Sequence, residues 1–275
     1  VEVLGNTLEE IAAEIAGILK EGRAFVRESQ APDALQVLLK AAERAGVSSC
    51  DLTDCGAIYD RRMENGEQHY SFGRYEDLSM RMLGLPQYEN AAAAILAAER
   101  FFEKTDTGRS EEEIAAAIRR GIHDAVWPGR MEIIRDDPFF LVDGAHNGCG
   151  VTALRDSLAA LFPGEKFHFL MGVMADKDYE AMVELLLPLA HSFTTVTVEN
   201  ARALKAGELA ALIEKKGVPA HCAQELRDCL DGKHNDRAHK TVAFGSLYFI
   251  GEIKRLFKDY RFITDSVDYD KNDTF

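Results

Sequence analysis

No phosphate-binding loop is written anywhere in the 275 residues. Neither GxxxxGKS, GxxxxGKT nor GxGxxG occurs, and Gly148-Cys149-Gly150 is too short to be any of them. A nucleotide used by this chain therefore finds its phosphate cradle elsewhere. Cysteine is scarce. Cys50, Cys55, Cys149, Cys222 and Cys229 are odd in number and form no CxxC pair, which argues against zinc and disulfides and for a reduced, cytoplasmic setting. No apolar run reaches the roughly eighteen residues a membrane helix needs. Cations are outnumbered 32 to 46, for a formal net charge of −14. That balance argues against a nucleic acid or an anionic membrane as partner, yet leaves room for a small anion held by a local cation cluster. The first residues carry no basic n-region, no signal-peptide core and no initiator Met, so an upstream portion is expected.

What is present is an ordinary globular composition, 47% hydrophobic and 28% charged, long enough for one large or two ordinary domains. Leu8, Ile11, Ile15, Ile18 and Leu19 fall at helical spacing over 7–20 behind Asn6 and Thr7 as possible caps. A short strand is expected over 23–28 and a second amphipathic helix over 32–45. From 48 to 83 the helical period is lost, and Gly, Asp and Asn between β-prone runs suggest hairpins. An alanine-rich helix over 90–102, capped by Asn90, leads to a polar linker at 103–109. Ser110 and Glu113 then form a capping box that opens a helix to His123.

After Trp127 strands and helices alternate with short loops, the pattern of βαβ units and a mostly parallel sheet. Strands are expected over 139–142, 167–172, 192–198, near 220 and over 241–244. Helices are expected over 151–161, 179–189, 205–216, 223–230 and 248–257. The polar, acidic tail from Phe262 is expected to lack order.

Chemistry concentrates at Asp143-Gly144-Ala145-His146-Asn147, where the buried strand candidate Phe139–Val142 ends in a polar turn before a helix. Open α/β sheets bind ligands outside the carboxyl ends of strands. An Asx-turn with a helix cap explains the same residues without a ligand. Arg130, after Pro128-Gly129, offers a fork for phosphate or carboxylate, or is simply a surface arginine. Trp127, the single tryptophan, reads as a packing anchor. Gly245-Ser246 before the last helix suits an anion or a plain serine cap. Asp176-Lys177-Asp178 follows another strand and reads as a solvated charged loop or an anion contact.

Leu4-Gly5 with the first helix, Gln87…Asn90-Ala91, Trp127-Pro128-Gly129-Arg130, Leu141–Asn147, Asp176-Lys177-Asp178, Arg202-Ala203 and Gly245-Ser246-Leu247-Tyr248 together resemble the folylpolyglutamate synthase/dihydrofolate synthase family of Mur ligases. The resemblance implies an α/β architecture. Part of a central ATPase-type domain (1–107) would precede a C-terminal Rossmann-like domain (108–260), a mostly parallel sheet flanked by helices, and a tail (261–275). It further implies an ATP-dependent carboxylate–amine ligase that joins L-glutamate to a folate or dihydropteroate through an acyl phosphate. By that resemblance Asn90, Arg130 and Asp143 contact ATP, and His146 and Ser246 hold the glutamate. Asp143 and His146 stand at the catalytic junction, with Lys177 and Asn147 as further candidates; no metal ligand is assigned. ATP and magnesium are implied as cofactors, although the phosphate loop, the magnesium ligands and the family's N-terminal half are missing.

Three departures qualify the expected activity. The family's helix reads EKAGI, with a lysine that is typically carbamylated near magnesium. Here the sequence is Glu14-Ile15-Ala16-Gly17-Ile18, and isoleucine carries no carbamate. The usual HQ is Pro86-Gln87, and Gly148 replaces a usual proline. The chain by itself is therefore expected to be catalytically silent. Its exposed half-domain is expected to be covered by a separate phosphate-loop polypeptide or by self-association. A degenerate binding or assembly module and a Mur-type ligase for another amino acid are the alternatives.

Overall fold

A computed structural model describes residues 5, 7–20, 22, 24–26, 31–47, 50–52, 57–105, 108–230 and 238–268. Leu4, Asn6, Cys55, the ends of the 23–28 segment and the tail beyond Asp268 lie outside these residues. The chain divides into two compact units, Val1–Arg81 with Tyr88–Ala125, and Met82–Gln87 with Val126–Phe275.

In the first unit, α1 (Leu8–Ala16) opens on a capping box in which Thr7 Oγ1 accepts from the Glu10 amide and the Glu10 carboxylate accepts from the Thr7 amide. The parallel pair β1 (Ala24–Val26) and β2 (Cys50–Leu52) flanks α2 (Pro32–Arg44) in sequence. α1 packs on α2, and each helix buries small residues, Ala12 and Ala16 on α1 and Ala34 and Ala42 on α2. The larger Leu8, Ile15 and Ile18 remain exposed. An antiparallel meander follows, β3 (Ile58–Glu64), β4 (Glu67–Phe72) and β5 (Tyr75–Met80). Asn65 and Gly66, both at positive φ, make the tight turn between β3 and β4.

The alanine-rich helix is α3 (Leu85–Lys104). It starts five residues before Asn90, so Asn90 sits within the helix and is not its cap. The first turn accommodates Pro86 because an N–H there has no partner within the helix, and the Leu85 amide is met by Ser157 Oγ at 3.0 Å. α4 (Glu111–Asp124) does open on the Ser110–Glu113 capping box. It packs on β5, where Arg119 Nη1 donates to the Glu76 carbonyl at 2.6 Å and the guanidinium lies over Tyr75. Those contacts place α4 within the first compact unit.

The second unit is built on a six-stranded sheet. Its strands are β6 (Glu132–Arg135), β7 (Phe140–Val142), β8 (Phe167–Met171), β9 (Ala190–Thr195), β10 (Ala220–Cys222) and β11 (Lys240–Phe244), in the order β10-β9-β8-β11-β7-β6. All pairs are parallel except β6 with β7. β6, an edge strand of four half-buried residues, shows no alternation of its own between the flanking turn residues Pro128-Gly129 and Asp136-Asp137-Pro138. The helices are α5 (Gly148–Leu161), α6 (Tyr179–Leu186), α7 (Ala206–Lys215), α8 (Leu226–Leu230) and α9 (Leu247–Asp268). Residues 262–268 therefore continue a helix where an unordered tail is expected from the sequence.

Alternate strand residues face opposite sides. Leu141, Phe169, Met171, Val242 and Phe244 join Val151, Leu154, Met182, Val183, Leu209 and Ile213 in one core, so α5, α6 and α7 cover that face. Phe140, Val142, Leu170 and Ala243 join Leu226, Leu230, Phe249, Ile250 and Ile253 in the other, beneath α8 and α9. The chain thus leaves β7 and β8 toward one face and leaves β11, which lies between them, toward the other. That is a topological switch point, and it opens a crevice at the carboxyl ends of these three strands.

One buried polar atom in the first unit has no partner. Tyr70 is fully buried, its ring meets Tyr88 edge-on at 5.3 Å, and its hydroxyl makes no hydrogen bond. An orphaned buried hydroxyl costs about 1–3 kcal/mol. Tyr70→Phe is therefore expected to leave the thermal midpoint unchanged or raise it. A loss of more than about 1 kcal/mol in denaturant unfolding would contradict the orphan assignment.

Candidate functional site

The three loops at the switch point are tied to one another by backbone hydrogen bonds. The Asp143 amide donates to the Ala243 carbonyl at 2.9 Å, the Gly245 amide to the Ala145 carbonyl at 2.9 Å, and the Gly172 amide to the Phe244 carbonyl at 3.2 Å. The approach is close enough that side chains are excluded. A Cβ on Gly245, whose φ is +117°, would stand 2.5 Å from the Gly172 carbonyl oxygen, and one on Gly144 would stand 2.5 Å from Leu247 Cδ2.

Asp143 is buried, 7% exposed. Its Oδ1 accepts from the Ala145 amide at 2.8 Å, an Asx-turn, and its Oδ2 accepts from the Met131 amide at 2.9 Å. Burial pushes its carboxyl above the ordinary carboxylate range, against the pull of those two amides and of the nearby Arg130 guanidinium. The second acceptor oxygen thus joins the turn after β7 to the turn before β6. The Gly144 amide adds a second tie, donating to the Gly129 carbonyl at 2.7 Å.

His146 is half-buried, with Nδ1 2.8 Å from the Gly144 carbonyl. A carbonyl only accepts, so Nδ1 carries the hydrogen and Nε2 keeps its lone pair in the neutral ring; this tautomer is assigned from the partner. Asn147 caps α5, its Oδ1 accepting from the Gly150 amide at 2.8 Å. Ser246 is buried and caps α9, its Oγ accepting from the Tyr248 amide at 3.2 Å. Both cap readings therefore hold, whatever else the side chains contact.

Arg130 is exposed on the turn between Gly129 and Met131, both at positive φ. Its Nη1 lies 3.5 Å from where a Cβ on Gly144 would stand, so the guanidinium borders the Asp143 turn. Lys177 is half-buried in the loop after β8, its Nζ 3.5 Å from Asp176. Arg202, in the loop after β9, reaches the same carboxylate at 3.8 Å. These two loops are joined by the Ala175 amide on the Arg202 carbonyl at 2.8 Å and by the Met174–Ala203 bridge.

Within the second unit, then, Asp143, His146, Asn147, Arg130, Ser246 and Lys177 all lie at the carboxyl edge of one sheet. Asn90 is exposed on α3 in the first unit and is described there by itself. Trp127 is not a packing anchor: it is 66% exposed beside an equally exposed Val126. Glu132, Lys254 and Met131 escaped the sequence reading. Left-handed Met131 is invisible to propensity, and the Glu132–Lys254 pair spans β6, which shows no alternation of its own. Among the described residues no three His, Cys, Asp or Glu side chains converge to hold a metal ion.

The family model for the Mur ligase, glutamate ligase domain, matches residues 129–244. That span opens on the Gly129–Arg130 turn and closes at the end of β11. A dihydrofolate synthase/folylpolyglutamate synthase of Bacillus subtilis is 33% identical over 264 residues, 93% of this chain and 60% of its own length. The chain is thus similar to this folylpolyglutamate synthase/dihydrofolate synthase over nearly all of its own length. The Mycobacterium tuberculosis folylpolyglutamate synthase solved with ADP and AMPPCP matches with a TM-score of 0.78 at 28% identity, covering 94% of this chain and 61% of that one. A folylpolyglutamate synthase complex with AMPPCP and folate matches with a TM-score of 0.73 at 25% identity, covering 93% and 58%. The chain spans about three-fifths of the length of these relatives. No helix among its described residues is long and apolar enough to cross a membrane.

Two outcomes test this geometry. Gly245→Ala is expected to cost at least about 2 kcal/mol in denaturant unfolding, because the contact is with backbone and φ is positive. The second concerns Asp143. A carboxyl raised by burial contributes most to stability below its ordinary value of 3.8 and loses that contribution as pH rises through its folded-state value. The unfolding free energy of wild type minus that of Asp143→Asn is therefore expected to fall between about pH 3 and pH 7. A difference that stays flat or rises over that range would show that burial does not govern this group.

Proposed function

We propose that this chain carries the glutamate-side portion of an ATP-dependent ligase that lengthens a folate, or completes dihydrofolate, by one L-glutamate. The observation that carries the reading is the switch point itself, where a buried carboxyl group, an imidazole and an exposed guanidinium gather on loops bound to one another. In the reaction the γ-phosphoryl of ATP passes to the substrate carboxylate, giving an acyl phosphate and ADP. The amine of glutamate attacks the acyl carbon, and the tetrahedral intermediate collapses to amide and phosphate. Such chemistry needs developing anions neutralised and the amine held at attack distance.

Arg130 and Asn90 are assigned to ATP, and Asp143 and His146 to the junction of nucleotide and incoming glutamate. Ser246 is assigned to the glutamate, with Lys177 and Asn147 as supporting contacts. His146 suits its part because Nε2 retains a lone pair for an ammonium or amine hydrogen. Arg130 suits its part because an exposed guanidinium beside backbone carbonyls is free to fork onto phosphate oxygens. Ser246 has only its remaining hydroxyl capacity to offer, since the Tyr248 amide already occupies one lone pair. A cytoplasmic setting belongs to the same reading, and Cys149, Cys222 and Cys229 are free thiols.

Ile15 favours a second reading for the chain taken alone. It stands exposed on α1 where the family resemblance implies a carbamylated lysine, and it offers no oxygen to a metal. The chain by itself is thus proposed to bind without turning over, and to gain catalysis from a partner polypeptide that carries a phosphate loop. Phosphate release with ATP, glutamate and dihydropteroate is expected to be at background for the chain alone. Calorimetry is expected to detect weak binding of AMPPCP or L-glutamate that Arg130→Ala and His146→Ala abolish. Robust turnover by the chain alone would overturn the silent reading; absence of binding by either ligand would overturn the ligase reading.

A further inference from the structure

We propose that Glu132, clamped by Lys254, is a positioning residue that sets the reach of the Arg130 guanidinium into the crevice. The inference rests on the assignment of Arg130 to nucleotide. Arg130 is held between two residues in left-handed backbone conformations, Gly129 at φ 76° and Met131 at φ 41°. A non-glycine residue in that region costs about 1–3 kcal/mol and persists only where its surroundings over-determine it. Three hydrogen bonds supply that determination. The Gly129 amide donates to Glu132 Oε2 at 2.7 Å, the Gly129 carbonyl accepts from the Gly144 amide at 2.7 Å, and the Met131 amide donates to Asp143 Oδ2 at 2.9 Å. The two peptide units that flank Arg130 are therefore fixed to the Asp143 turn, and the unit before them, between Pro128 and Gly129, is fixed to Glu132 on the edge strand β6.

Of these three bonds, the one to Glu132 is the only one in which neither donor nor acceptor belongs to the Asp143–Gly144 turn. Glu132 is itself immobilised. Lys254 Nζ donates to its two carboxylate oxygens at 2.7 and 2.6 Å, with both side chains only about a quarter exposed. Lys254 stands on α9 beside Ile250 and Ile253, which are buried in the core, so the ammonium is carried on a rigid base. The turn also rests on that helix, since a Cβ on Gly129 would stand 3.2 Å from Ile250 Cγ2. One carboxylate thus registers the arginine turn against α9, the helix that Ser246 caps. The nucleotide candidate and the glutamate candidate share a single mechanical reference.

The test uses the chain as it is, with AMPPCP as the calorimetric probe and amide hydrogen exchange by NMR as a second readout. Glu132→Ala is expected to weaken AMPPCP by on the order of tenfold. Glu132→Gln is expected to restore most of the affinity, because its amide oxygen still accepts from Gly129. In the Arg130→Ala background Glu132→Ala is expected to add nothing, whereas a general loss of stability would add in full. Protection of the Gly129 and Met131 amides is expected to drop in Glu132→Ala and in Lys254→Met, and the latter serves alone if Glu132→Ala does not fold. Unchanged AMPPCP affinity in Glu132→Ala while Arg130→Ala weakens it overturns the positioning role. If Arg130→Ala leaves the affinity unchanged, or the chain binds no AMPPCP, the nucleotide assignment fails instead. Amide protection then judges the positioning on its own: unchanged protection overturns it.

Discussion

The carboxylate of Asp143 accepts one amide from its own turn and one from the turn before β6, and the second of these is the bond on which the crevice depends. Without it the arginine turn would be joined to the switch point, among the hydrogen bonds of the described residues, by the Gly144 amide on the Gly129 carbonyl, with Glu132 holding it from the edge strand. A buried carboxylate is costly to desolvate, and here the cost is offset in part by two backbone donors and the neighbouring Arg130 guanidinium. The same amide keeps Met131 in a backbone conformation it would otherwise leave. One side chain therefore fixes an Asx-turn, a strained turn and the position of a guanidinium at once. Hydrogen bonds of this kind, from amides to a charged acceptor, are individually worth about 1.5–3 kcal/mol, comparable to the strain they hold.

The sheet around that bond explains why a crevice exists at all. β11 enters last in sequence yet lies between β7 and β8, and it sends its helix to the opposite face from theirs. Loops leaving adjacent strands in opposite directions cannot fill the space between them. At the base of these loops Gly172 and Gly245 pack backbone against backbone, which fixes where the loops diverge. Caps at Asn147 and Ser246 then aim two helix N-termini, those of α5 and α9, from the two faces toward the same edge. That concentrates partial positive charge at one edge of a sheet in a net acidic protein of formal charge −14.

Much of this architecture is legible in the residues. The alternation after Trp127 yields the parallel strands and their helices because each strand is short, apolar and closed by a turn signal, and both capping boxes are read directly from Thr7–Glu10 and Ser110–Glu113. What escapes is whatever depends on a distant partner. β6 has no alternation of its own and exists because β7 offers a free edge. The start of α3 moves back to Leu85 because Ser157, far along the chain, meets its first amide. Trp127 looks like an anchor by residue type and stands exposed, since type alone does not say what the fold brings opposite it. Asp143 and His146 were visible as a pair, but the burial that raises the carboxyl and the carbonyl that sets the imidazole tautomer come only with the fold.

The same distinction separates the two halves of the functional reading. The switch-point crevice is assembled wholly within the second unit from bonds that close on themselves, so its loops keep their geometry without help from other segments. α1 has the opposite character: Ala12 and Ala16 are buried, while Leu8 and Ile15 on the helix and Ile18 just past its end stay exposed. An isoleucine at position 15 adds apolar area to that surface and offers it no polar atom. Polar side chains fixed by hydrogen bonds thus gather in the second unit, whereas α1 presents apolar surface, and the two carry different physical roles in one chain.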